Sequence, residues 1–146
     1  ISKYQDYLVE YIVLAFFMPL LIASGGNTGA QSATLMVRAI STGDLKLEGW
    51  YKAFAKEVLV GLMLGGGMGV LTWLLGIYRS GLAMAAVVGI SMVAIVLVAN
   101  LIGVLLPFTL TKLKLDPAVA SSPLITSMMD AVGLLIYFSV AASILG

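Results

Sequence analysis

The sequence predicts an all-α protein, a polytopic bundle of transmembrane helices, and two observations carry that class. Of 146 residues, 61% are hydrophobic and 10% charged, whereas an average soluble domain is roughly 25% charged; a water-soluble globule is excluded. The apolar residues also gather into four stretches, at about 8–42, 50–78, 82–111 and 119–145, each of the order of the roughly 20 residues that cross a bilayer core as helix. The connectors between them, 43–49, 79–81 and 112–118, are too short for a soluble domain, so residues 1–146 read as one transmembrane unit.

Charge and composition narrow the chemistry. The net charge of +1 supplies no basic surface for nucleic acid. Cys and His are both absent, which removes disulfides, thiolate and imidazole ligands, and His-dependent nucleophiles. An enzyme is not expected. What remains is carboxylates, amides, hydroxyls and backbone carbonyls, hard oxygen donors suited to Mg²⁺ or Ca²⁺.

The first stretch is too long for one straight crossing, and Pro19 and the run Ser24-Gly25-Gly26-Asn27 interrupt it. A broken helix, whose freed carbonyls line a cavity, is one reading; a glycine pair permitting close helix packing is the other. Beyond the interruption Asn27, Gln31, Thr34 and Arg38 recur at helical spacing, making one face polar. Gly43 reads as the residue that ends this helix. In the second stretch Gly61, Gly65 and Gly69 form a smooth packing face, and Glu57 falls on it one turn earlier. Glu57 is a helix-start carboxylate favoured by the dipole, or a candidate for admitting ions. Trp50 and Tyr51 look like an interfacial anchor. The third stretch carries Asn100 and a kink at Pro107.

The fourth stretch, opened by Asp116 and Pro117, holds the strongest candidate. Asp130 lies about 11 residues into it, where a carboxylate costs roughly 2.5 to 3.5 kcal/mol even on the lenient insertion scale. Something must compensate that charge. Ser122, Thr126, Asp130, Gly133 and Tyr137 fall on one stripe, so the acid is expected in a polar lane facing protein or water. One carboxylate per chain is a poor divalent site; a two-fold axis beside it supplies two, which predicts a homodimer.

Lys and Arg favour the cytoplasmic side. Arg38, Lys46, Lys52, Lys56, Lys112 and Lys114 cluster around the first and third connectors, while Lys3 and Arg79 lie opposite, so both visible ends are expected outside. No secretory signal peptide is expected, because residues 8–23 lack a basic lead and run into further helix. The chain starts with Ile1 and reads as a fragment; a cytoplasmic N-terminal part would require an odd number of spans before it, one being the simplest.

Residues 19–38, with Pro19 at the start, the core Ser24-Gly25-Gly26-Asn27-Thr28-Gly29, then Gln31, Ala33, Thr34 and Arg38, followed by Ala39-Ile40-Ser41-Thr42-Gly43-Asp44, closely resemble the second transmembrane helix of the MgtE family of magnesium channels. Asp116-Pro117-Ala118, Ser122-Pro123-Leu124-Ile125-Thr126, Asp130 and Gly133-Leu134-Leu135-Ile136-Tyr137 look like that family's last helix, in order and distance. The resemblance spans the chain as helices two to five of a five-helix domain. It implies a multi-pass protein of the cell membrane, a homodimer with a central pore, and a hydrated Mg²⁺ held by Asp130 with Thr126 and Ser122. Gly25, Gly26, Asn27 and Gln31 would line that pore. Mg²⁺ is then the transported ion, with other divalent cations open, and cytoplasmic regulatory domains lie outside this chain. Ser122 stands where members often have Asn, and Ala30 where a polar residue is frequent. The alternative reading is a proton- or sodium-coupled secondary transporter of a small solute, with Asp130 as coupling acid.

Overall fold

A computed structural model describes residues 2–146, and side-chain surroundings from residue 12 onward. Four helices follow one another: α1 (Ser2–Ser41), α2 (Trp50–Ser80), α3 (Leu82–Lys112) and α4 (Ser122–Leu145). All four are long and apolar enough to cross a membrane. Helices α1, α3 and α4 pack on one another, and α2 lies against α3 from outside. The sequence dictates which helix sits in the middle. Helix α3 is apolar all round, and a helix of that kind is stable only when enclosed; Val87, Val88, Met92, Ile95, Val96 and Ala99 are fully buried. They meet Leu14, Phe17 and Leu21 of α1 and Ile125, Met129 and Tyr137 of α4.

Lipid tails are as apolar as leucine, so close packing rather than water exclusion must hold membrane helices together. The glycine row of α2 does this. A Cβ at Gly76 would stand 2.6 Å from Ala85 Cα, and one at Gly65 would stand 3.1 Å from the Val93 carbonyl oxygen, so the backbones of α2 and α3 touch. The other side of α2 presents Leu59, Met63, Leu71 and Leu74 outward. On the far side of α3, a Cβ at Gly103 would come 2.7 Å from the Gly29 carbonyl oxygen, which fixes α1 equally close.

Helix α1 is one continuous helix, not two halves. It runs through Pro19, Gly25 and Gly26 without a break, so the packing alternative holds. The reason is steric: a Cβ at Gly25 would meet Ile95 Cγ2 at 2.5 Å, and at Gly26 Thr126 Cγ2 at 2.7 Å. Close packing on both faces outweighs the roughly 1 kcal/mol by which glycine disfavours helix relative to alanine. Near Pro19, which removes one helical hydrogen bond, the buried Tyr137 hydroxyl donates to the Leu14 carbonyl at 3.0 Å and ties α4 to α1.

The connectors follow local chemistry. Gly43 takes φ +74° just past α1, the left-handed conformation of a helix terminator. Helix α4 starts later than Asp116 and Pro117 suggest. The Asp116 carboxylate accepts from Ala118 N at 2.9 Å and caps a separate 3₁₀ turn, Pro117–Val119, before Pro123 opens α4. Leu47, Glu48 and Trp50 share a cleft with Leu105, Phe108, Thr109 and Lys112. The first and third connectors are thus at one end of the bundle, together with their lysines.

Candidate ion-binding face

Helix α4 presents two adjacent rows at four-residue spacing, and they have different jobs. Ile125, Met129, Gly133, Tyr137 and Ala141 are buried against α1 and α3. Ser122, Thr126 and Asp130 form the next row, with Ser122 and Asp130 exposed and Thr126 half-buried. Gly133 and Tyr137 therefore belong to the packing row, not to the polar lane in which the spacing alone grouped them. A row spaced by four drifts about 40° per step around a helix of 3.6 residues per turn, so neighbours in angle separate in burial as the helix crosses its partners.

Helix α1 contributes the facing wall. Gln31 and Thr34 are exposed along it, and Asn27, Ala30, Gln31, Thr34 and Leu35 line a cleft of about 490 Å³ together with Ser122. The wall is held against α4 at Gly26, whose missing side chain is filled by the Thr126 methyl. With that methyl turned inward, the Thr126 hydroxyl donates to the Ser122 carbonyl one turn back. Gly25 and Gly26 are buried. Within the protomer, Gly25 is a seat for Ile95 and Gly26 a seat for Thr126, while Asn27 and Gln31 present the polar atoms.

Asp130 thus stands on the outside of the protomer, about 12 Å along α4 from Ser122 at 1.5 Å per residue, one turn beyond Thr126. Among the described residues no group of three or more His, Cys, Asp or Glu side chains comes together. The donors of this face are the Ser122 and Thr126 hydroxyls of α4 and, across the cleft from Ser122, the Asn27 and Gln31 amides of α1, which suit a hard cation that keeps its water.

Glu57 lies elsewhere. Half-buried on α2, its carboxylate is 3.5 Å from Ser32 Oγ of α1, and Ser32 Oγ is 3.4 Å from the Asn100 carbonyl oxygen of α3. Ser32 escaped the sequence reading. The available signal was the buried series Gly25, Gly29, Ser32, Ala33 and Met36 on the side of α1 away from Gln31 and Thr34.

The family described as "MgtE: Divalent cation transporter" matches residues 18–140. The chain is 47% identical over 147 residues to a magnesium transporter MgtE of Thermus thermophilus, covering 99% of this chain and 32% of that protein. It is 37% identical over 143 residues to one of Enterococcus faecalis, covering 97% of this chain and 32% of that protein. The chain thus spans about a third of the length of the relatives it matches. A family match over most of the chain and four helices long and apolar enough to cross a membrane lead to one assignment: this multi-pass protein of the plasma membrane belongs to the MgtE family of divalent cation transporters.

Proposed function

We propose that this chain is the membrane part of a Mg²⁺ transporter in which hydrated Mg²⁺ passes along a pore at a homodimer axis, and that Asp130 is the acid that binds it. One observation carries the reading: the polar row Ser122, Thr126 and Asp130 runs along the surface of an apolar protomer, and its Ser122 end shares a cleft with Asn27 and Gln31. A carboxylate facing hydrocarbon costs roughly 2.5 to 3.5 kcal/mol, and that cost disappears if the row faces its own copy across water. A self-complementary interface brings two Asp130 carboxylates to one axis. Mg²⁺ dehydrates reluctantly and is held through its waters by one or two carboxylates; binding at that distance is weak enough to permit exit. The ion is the substrate, not a resident cofactor. The lysine-bearing connectors face the cytoplasm in this arrangement.

The names of the relatives, magnesium transporter MgtE, support transport as the activity. The broken first helix that would have offered a coupled carrier its substrate site is absent, since α1 is continuous. The test is Mg²⁺ uptake into proteoliposomes by the complete protein, at matched amounts of folded material. Asp130→Asn keeps the shape and removes both carboxylates from a dimer, so uptake should collapse with folding intact. Uptake at the level of the unaltered protein would move the site away from Asp130.

A further inference from the structure

The three-helix junction of Glu57, Ser32 and Asn100 has polar groups in contact but poorly matched as hydrogen bonds. Ser32 Oγ is 3.5 Å from Glu57 Oε2 and 3.4 Å from the Asn100 carbonyl oxygen, whereas hydroxyl hydrogen bonds close to about 2.7–2.8 Å. One serine proton cannot serve both acceptors. Asn100 is 2% exposed, and its Nδ2 is buried without any partner, an arrangement that is unfavourable unless something supplies one. Its amide lies over the face of α2 that carries Glu57 and Gly61, with Nδ2 3.2 Å from where a Cβ of Gly61 would be. Half a turn of the amide exchanges Nδ2 for Oδ1 at no change of shape. The Glu57 carboxylate, the Ser32 hydroxyl and the Asn100 main-chain carbonyl meet at Ser32 from α2, α1 and α3, with the Asn100 amide oxygen then turned toward α2.

A cation among these oxygens would satisfy all of them at once, which a single serine proton cannot. Neighbouring ligands in octahedral geometry lie √2 times the metal–oxygen distance apart, so edges of 3.4 and 3.5 Å correspond to about 2.4–2.5 Å from metal to oxygen, the Ca²⁺ length and that of the similarly sized Na⁺. Mg²⁺, at about 2.0–2.1 Å, would draw the edges in to about 2.9 Å. Charge selects between the two larger ions. Glu57 is the single carboxylate of the junction, Lys52 on its own helix is exposed, and one negative charge balances a monovalent ion. We infer that Glu57, Ser32 and Asn100 form a Na⁺ site inside each protomer, which ties α1, α2 and α3 together and is separate from the Asp130 row.

The test uses the complete protein in lipid nanodiscs with Mg²⁺ chelated, following the thermal unfolding midpoint as Na⁺ replaces N-methylglucamine at constant ionic strength. A ligand that binds only the folded state raises the midpoint saturably. The expected result is stabilisation by Na⁺ with a weaker effect of K⁺, retained in Asp130→Asn, lost in Glu57→Gln, and shifted to about tenfold higher Na⁺ in Ser32→Ala. Equal stabilisation by N-methylglucamine or K⁺, or a Na⁺ response unchanged in Glu57→Gln, overturns the site. A response to Ca²⁺ at lower concentration than Na⁺ overturns the choice of ion. If Glu57→Gln does not fold, Ser32→Ala decides: an unshifted Na⁺ response there rejects the proposal. Because the readout is stability and not uptake, the outcome is independent of whether Asp130 binds Mg²⁺.

Discussion

Adding one methyl group at Gly26 tests the link between helix packing and the proposed ion-binding face. In Gly26→Ala the new Cβ would stand 2.7 Å from Thr126 Cγ2, about 1 Å inside the 3.5–4.0 Å optimum for two carbons. Overpacking of this size costs about 1–3 kcal/mol, and alanine returns about 1 kcal/mol of helix propensity, so the net loss of stability is only about 0–2 kcal/mol. The neighbour that must give is a side chain. Thr126 has to rotate, abandoning its bond to the Ser122 carbonyl, or α4 has to move away from α1; either one displaces the row that carries Asp130. Gly65→Ala is the control, because its Cβ would meet Val93 carbonyl oxygen at 3.1 Å and Val93 Cα at 3.2 Å, backbone atoms of a contact remote from that row. Mg²⁺ uptake into proteoliposomes per folded protein should fall in Gly26→Ala and hold in Gly65→Ala, whose loss is in yield and thermal stability. Thr126→Ser removes the methyl and keeps the hydroxyl, so Gly26→Ala combined with Thr126→Ser should recover uptake, with a coupling of about 1 kcal/mol or more in stability. Equal loss of uptake in the two alanine variants, or a double variant no better than Gly26→Ala alone, would refute the reasoning.

Asp130→Glu should retain part of the uptake with altered preference among divalent cations, since the charge survives while the ring of ligands narrows; loss as complete as in Asp130→Asn would show that charge alone is not what the position supplies. Single-Cys variants along the outward row of α4, at Ser122 or Thr126, should crosslink between protomers in lipid, and a chain that stays monomeric while taking up Mg²⁺ would dispose of the dimer-axis pore. Tyr137→Phe deletes the hydroxyl that donates to Leu14 and should lower stability by about 0.5–1.5 kcal/mol at unchanged uptake per folded protein; a selective loss of uptake would place Tyr137 in the conduction path.

Composition and spacing alone determined the class and the four spans, and singled out Asp130 as the candidate acid. Four long apolar stretches have few solutions in a bilayer, because each must satisfy its backbone internally as helix, and a solitary mid-span Asp130 in a chain without His or Cys stands out whatever the fold. The α2 glycine row was legible for the same reason: Gly61, Gly65 and Gly69 repeat at the helical period and can serve one contact face. Tertiary structure decided what local pattern left open. Gly25 and Gly26 fit a break or a close contact equally well until Ile95 and Thr126 are seen to occupy the space their side chains would need. Tyr137 and Asp130 share an angular sector on a helical wheel, yet one is buried and the other exposed, because burial depends on where α4 crosses α1 and α3. Ser32, Glu57 and Asn100 lie far apart in the chain, and no periodicity relates residues on three different helices; only the packing of α1 and α2 onto α3 brings their oxygens together.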